Sequence, residues 1–390
     1  MAKLSNRFWF SFHGWCSLPI WVLFCFICLT GTVAVISHEL TWLTNPNARA
    51  LNPDELPAKN AAELVKIVQQ AHPTAEVSTL LLYEPYLTAG VIFSDQQRPF
   101  ATAYVNPYTG AIQEINEGLT FIGFMRSLHG WLLFPWQHNY SIGYYLVSAM
   151  GFVLLGALIS GLMIYKQFWK AFSQPKIRFN QGSKTLLADL HRTAGVWSIW
   201  FMVIICITSL WYLLQGILMH NDIEVEPHAP LVAITELPSA KPNEFPVSLA
   251  QALATAKQQY PAFSPSYIAL PEHNRDNYHL YGSGANPFFD QYAYQMAINP
   301  WQGEISQQLA PDNMNTMQTV MHIVDPLHYG TLGGIWTKII WFIFGALLTG
   351  MSFTGFLMWR KRLVKVKPPR QSQTTTQTAA QTAQPVGESR

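Results

Sequence analysis

Charge is what this sequence has least of. Only 12% of its 390 residues are Asp, Glu, Lys or Arg, against about a quarter in an average globular chain. The shortage is local, because none of these residues occurs in 8–37, 127–165, 193–221 or 339–359. Each run is as long as the roughly 20 apolar residues that a helix needs to cross a bilayer. The pattern excludes an ordinary soluble fold and predicts four transmembrane helices. Cysteine is also scarce, with Cys16, Cys25, Cys28 and Cys206 all in the first and third runs. The long segments between runs must therefore fold without disulfides. Inside an apolar helix, Cys25-x-x-Cys28 reads as two small hydrophobes rather than a redox pair. No G-x-G-x-x-G opens a helix after a strand and no P-loop is present, so the chain offers no seat for nucleotide chemistry. "YGSGANP" at 281–287 reads as a loop.

Basic residues orient the chain. Fifteen of the 24 Lys and Arg lie before the first run, between the second and third, and after the fourth. The positive-inside rule makes these segments cytoplasmic. Segments 39–126 and 222–338 then lie outside, with nine Lys and Arg against twenty Asp and Glu. An acidic outer face excludes nucleic acid as its partner and leaves the lipid bilayer as the expected surroundings of the helices. The first run is too long for a signal-peptide core and lacks an A-x-A site, so it is expected to stay in the protein. The polar, low-complexity end at 371–390 is expected to be disordered.

What is present comes twice. "VNPYTGAI" at 105–112 returns as "INPWQGEI" at 298–305, each reading as a hairpin turn between short strands. Helix-like stretches at 61–70 and 249–259 precede the two copies, followed by similar Gln- and Pro-bearing turns at Gln70–Pro73 and Gln258–Pro261. The spans match as well. One offset of 178 residues aligns His13 with His191 and Thr30 with Thr208, while "GALISGLMIY" at 156–165 resembles "GMSFTGFLMW" at 350–359. The chain reads as two copies of helix, outer domain, helix.

Twelve histidines carry the chemical signal. An ionisable ring at membrane depth is costly unless something binds it, so each such ring is a functional candidate. His13 and His191 lead the first and third helices at one cytoplasmic depth, and His129 and His328 stand at the outer ends of the second and fourth. Bundles build cofactor sites from such inward pairs. Two imidazoles at one depth fit a six-coordinate haem iron, whereas zinc asks for more ligands, usually including Cys or carboxylate. His38 and His220 end helices one and three at the outer face, as alternative ligands or contacts to a haem propionate. His138 and His322 are alternatives to His129 and His328. The glycines of the spans, among them Gly31, Gly161 and Gly355, serve either approach of a flat macrocycle or close helix packing. Two stacked haems would carry an electron across the bilayer.

Several stretches resemble the PepSY-associated transmembrane family: "FHGW" and "LHRT", "SHELTWLTNP", "SLHGWLLFPW", and above all "DPLHYGTLGGIWTKIIWFIFGALLTGMSFTGFLMWRKR". The resemblance implies an α-helical membrane protein, a four-helix transmembrane bundle built as a two-fold internal repeat with two periplasmic α+β PepSY-like domains. The layout is then transmembrane helix 1 at 1–38, a PepSY-like domain at 39–125, helix 2 at 126–168, a cytoplasmic loop at 169–190 and helix 3 at 191–220. A second PepSY-like domain follows at 221–320, helix 4 at 321–362 and a disordered cytoplasmic tail at 363–390. The resemblance further implies an oxidoreductase of the bacterial inner membrane with two haems b, in which His13, His191, His129 and His328 are axial ligands. Its substrate would be a ferric siderophore in the periplasm, reduced with electrons from a cytoplasmic or membrane donor to release ferrous iron. The alternatives are a haem electron carrier for another periplasmic acceptor, and a haem-free PepSY module on a membrane anchor that binds a peptide or protease. Thr208-Ser209 departs from the family's "TG", and "FPWQHNYSIG" lengthens the usual connection before helix two.

Overall fold

The computed structural model describes residues 5–237 and 245–363. The tail expected beyond Leu363 lies outside the described residues. The first apolar run folds as α1 (Asn6–Ser17) and α2 (Trp21–Val35), joined by a tight turn at Leu18–Ile20. Pro19 sits in that turn, where its missing donor breaks the helical ladder. α3 (Ser37–Thr44) and α4 (Ala61–Ala71) follow, then β1 (Glu76–Leu81), β2 (Ala89–Ser94), β3 (Ala101–Val105) and β4 (Ile112–Asn116). α5 (Phe121–Trp131) leads through α6 (Ile142–Ser148) to α7 (Met150–Ile164) and a short α8 (Phe168–Ser173). The second half runs through the same kinds of element. These are α9 (Ser183–Trp197), α10 (Ile199–His220), α11 (Leu249–Gln259), β5 (Ser264–Ala269), β6 (Tyr278–Ser283), β7 (Tyr294–Ile298), β8 (Ile305–Leu309), α12 (Thr316–Tyr329) and α13 (Gly334–Leu363).

Four helical segments are long and apolar enough to cross a membrane: Asn6–Val35, Ile142–Ile164, Ile199–His220 and Gly334–Leu363. A helix satisfies its backbone polar groups internally, which is what a hydrocarbon layer demands. The chain is membrane-embedded. In the bundle, α1 packs on α7 and α2 on α13, while α9 packs on α13 and α10 on α7. The first and third spans thus change neighbours along their length. Their far ends, α1 and α9, face each other without close backbone packing. At the other end α5 packs on α2 and α12 on α10.

The eight strands form one antiparallel sheet in the order β4-β3-β2-β1-β5-β6-β7-β8. The two long segments, expected as separate domains, share this sheet through β1 and β5, where Thr79, Leu80 and Leu81 pair with Ala269, Ile268 and Tyr267. The helices α4 and α11 cover it, burying Leu64, Val68, Leu80, Phe93, Ala252, Ile268 and Leu280 in a single core. Burying one such large side chain contributes about 2 kcal/mol. Each covering helix begins with a capping box, Asn60 with Glu63 and Ser248 with Gln251. The two NPxxG stretches are the β3–β4 and β7–β8 turns. In the first, Asn106 Oδ1 accepts from the backbone N–H of Tyr108 and Thr109, and Gly110 takes φ +80°. "YGSGANP" is only partly loop, since Tyr281–Ser283 belongs to β6.

Polar clamps seat the sheet on the bundle. Lys338, near the start of α13 and 5% exposed, donates to Glu39 of α3 at 3.1 Å and to Glu84 of the β1–β2 loop at 2.7 Å. The nearby His38 imidazole, together with the Lys338 contact, outweighs burial and holds the Glu84 carboxyl at about 2. His322 of α12 makes the corresponding tie to the other half of the sheet. Its ring is held by Asp290 at 3.0 Å and Glu226 at 2.6 Å.

Candidate cofactor sites

Two histidine pairs meet inside this frame. His13 and His191 face each other across the sheet-distal end with ring centroids 6.2 Å apart and planes at 89°. His129 and His328 do so at the sheet-proximal end, also at 6.2 Å, with planes at 28°. All four rings are half-buried. Seventeen residues separate His13 from Thr30, which touches His129, so about 25 Å of helix lies between the pairs at 1.5 Å per residue. Phe24, Phe201, Trp341 and Leu348 pack the space between.

Each ring is oriented the same way. His13 Nδ1 lies 2.8 Å from Ser160 Oγ, and His328 Nδ1 lies 2.8 Å from Thr208 Oγ1. His191 Nδ1 lies 3.1 Å from both Thr354 Oγ1 and the Met351 carbonyl, and His129 Nδ1 is 3.4 Å from Thr30 Oγ1. The hydroxyls have already spent their protons. Ser160 donates to the Gly156 carbonyl, Thr208 to Ile204, Thr30 to Ile27 and Thr354 to Met351. A hydroxyl has one proton, so toward the imidazole each can only accept, and Nδ1 must carry the hydrogen. Nε2 is then the nitrogen with the free lone pair in all four rings. Among the described residues no hydrogen bond reaches it. Hydrogen-bonding one ring nitrogen so that the other can ligate is how metal-binding histidines are held.

Three of the four hydroxyls are followed by a glycine beside the ring, and at Gly31 the ring needs the space a side chain would take. A Cβ on Gly31 would lie 2.6 Å from His129 Cε1, and one on Gly355 would lie 3.5 Å from His191 Cε1. Gly161 stands in the same relation to His13 at 3.9 Å. The hydroxyls of Ser160 and Thr354 went unremarked in the sequence. Their signal was there, since "SG" and "TG" occupy matching places in the aligned spans.

The alternative histidines have other partners. His38 lies 3.8 Å from Glu84, His138 lies 3.4 Å from Asp222, and His220 packs on Tyr140 and Tyr145. His322 is clamped by two carboxylates on opposite ring nitrogens, which cannot converge on one metal. Above the sheet-proximal pair, Tyr212 stacks edge-on against His328 and donates 2.7 Å to Asp325. Burial pushes the Asp325 carboxyl up to about 6, against the opposite pull of that hydroxyl. At the far end, Asp189, two residues before His191 and fully buried, accepts a two-pronged contact from Arg178 at 2.8 Å and a third from Arg192. That anchor fixes the turn from which α9 presents its histidine.

No group of three or more His, Cys, Asp or Glu side chains converges on one point among the described residues. The donor sets are pairs of neutral imidazoles. Fold and sites together define a four-span membrane protein with an eight-stranded extramembrane sheet and one imidazole pair at each end of its bundle. The chain belongs to the family of the PepSY-associated TM region, whose model matches residues 10–362. No curated protein matches it.

Proposed function

We propose that the protein is a dihaem b-type reductase of the bacterial inner membrane that passes electrons across the bilayer to a ferric siderophore on the sheet side. The observation that carries this reading is the spacing and tautomer of the four histidines. Two metal–nitrogen bonds of about 2 Å each, plus about 1 Å from each nitrogen to its ring centre, place two imidazoles on one metal about 6 Å apart. Both pairs stand at 6.2 Å with Nε2 free. Two neutral donors leave the equatorial positions to a macrocycle, which fits haem and does not fit zinc. His13 and His191 would hold one haem, His129 and His328 the other. Bound haem supplies one-electron carriage.

The residues around the four histidines each have a part in this. The four hydroxyls hold the imidazoles in the ligating tautomer, the glycines admit the rings, and the packed core between the pairs keeps water out of the path. Basic residues cluster on the sheet-distal side, including Arg360–Arg362 at the end of α13, which supports a cytoplasmic location for that end and a periplasmic one for the sheet. The matching halves support descent of bundle and sheet from one duplicated unit with two PepSY-like modules. Ferric iron is hard and held by the oxygen donors of siderophores; ferrous iron is softer and held less tightly, so one electron releases it. A donor on the cytoplasmic side or in the membrane feeds the His13–His191 site.

The direct test is optical. Detergent-purified protein is expected to show two b-type haems per chain by pyridine haemochromogen, and its dithionite-reduced spectrum should revert to the oxidised one on adding a ferric siderophore. A colourless protein would refute the reading and leave the sheet as a binding module on an anchor. Loss of an orienting hydroxyl is milder. Ser160→Ala is expected to weaken haem retention at one site by about 10–100-fold, read by haem transfer to apomyoglobin, with the second haem unaffected.

A further inference from the structure

Three residues before each sheet-proximal histidine stands a charge, Arg126 before His129 and Asp325 before His328. At this spacing the charge lies on the same helical face as the ring. Asp325 has its partner in Tyr212. Arg126 does not. Every ion pair that a Lys or Arg makes among the described residues uses Arg98, Arg178, Arg192 or Lys338. The residue is exposed. Tyr292, Tyr329 and Asp325 are the groups that act most on its charge. Tyr329 itself keeps 42% of its surface open. Arg126 and Tyr329 thus both keep open surface near the His129–His328 pair.

We propose that Arg126 is a carboxylate-binding residue of the sheet-proximal site. A guanidinium presents parallel donors in a rigid fork that matches a carboxylate, and the tyrosine hydroxyls add further donors. Asp325 stands near but is itself engaged by Tyr212, so the fork of Arg126 keeps donors to spare for a carboxylate between sheet and bundle. Two molecules could bring this group. One is the haem that His129 and His328 would hold, through its propionates; this source rests on the reading above. The other is a carboxylate-bearing ferric chelate on its way to reduction.

Full-length Arg126→Gln and Arg126→Lys chains in detergent separate these sources. In the first measurement haem is counted and both midpoint potentials are titrated with no chelate present. If the propionate is the partner, Arg126→Gln keeps two haems but lowers one potential, because removing a positive charge favours the oxidised form; Arg126→Lys restores most of the shift. In the second, ferric citrate and a ferric hydroxamate are titrated calorimetrically. If the chelate is the partner, Arg126→Gln leaves the potentials alone and weakens citrate binding by about tenfold or more, with hydroxamate binding unchanged. Unchanged potentials and unchanged citrate binding overturn the proposal. Should the wild-type chain hold no haem, the dihaem reading falls by itself, and citrate binding still decides the role of Arg126.

Discussion

A chain carrying His13→Ala and His191→Ala together is expected to hold one haem where the parent holds two, and to pass no electrons from the sheet-distal side. Among the described residues the two imidazoles are the donor set at that depth, and no third His, Cys, Asp or Glu converges with them. Ser160 and Thr354, the nearest polar side chains, are neutral hydroxyls already bonded to their own helices. The sheet-proximal pair stands about 25 Å away along the helix, held by Thr30, Thr208 and Gly31, so its haem should survive with an unchanged spectrum. Haemochromogen counting reads the first outcome. The second is read by reconstituting the chain in vesicles, reducing from one side and following a ferric siderophore on the other. Two haems retained in the double variant would sink the ligand assignment. One haem with undiminished transfer would sink the transmembrane path while leaving the ligands in place.

The pairing of these histidines was legible in the sequence because the chain says it twice. One offset brings His13 onto His191 and Thr30 onto Thr208, and residues at equal depth in an antiparallel bundle face the same core. What pairing could not reveal is which atom binds which. Thr30 and Thr208 serve His129 and His328, on helices of the same half, rather than the histidines that lead their own spans. That assignment depends on how α2 leans on α5 and α10 on α12, a tertiary matter with no local signature. The single sheet was hidden for a similar reason. Hairpins within each half announce themselves through NPxxG turns, but the β1–β5 pairing joins two strand edges far apart in sequence, and such an edge is coded only by its freedom to pair. The buried Lys338 was also out of reach, since its partners Glu39 and Glu84 come from distant segments.

Those late-found contacts set the distance between sheet and cofactor site. α12 carries His322, which ties down Asp290 and Glu226, and six residues later His328, which faces the bundle core. A sheet that rocks on α12 would move the carboxylate site at Arg126 and the sheet-proximal histidine out of register. The clamp is therefore a positioning device as well as a stabilising one, and its loss should show in both respects.

His322→Ala is accordingly expected to destabilise the sheet–bundle junction by about 2–4 kcal/mol, less than a fully buried pair would cost because Asp290 and Glu226 keep some contact with solvent. His322 is 2% exposed, with Asp290 on one nitrogen and Glu226 on the other, and Glu226 also accepts from Gln295. Removing the ring strands both charges at once. The effect must depend on pH with a definite sign. Burial alone would lower the imidazole pKa, but the bonds to Asp290 and Glu226 overcome it and raise it to about 9. A pKa raised from its ordinary value near 6.5 means that the folded form holds the proton more tightly. The stabilisation is then complete below about pH 6.5 and drains away as pH climbs through about 9. On the acid side, hydrogen bonds from His322 and Gln295 outweigh burial and lower the Glu226 pKa, so its contribution is lost as that carboxylate protonates. Hydrogen exchange of β6, β7 and α12 from pH 6 to 10 separates the parent from His322→Ala. Protection in the parent should fall on the alkaline side, while the variant, low throughout, stays flat. A variant whose protection falls in parallel with the parent would mean that some other group sets the alkaline limit and that His322 is not the clamp.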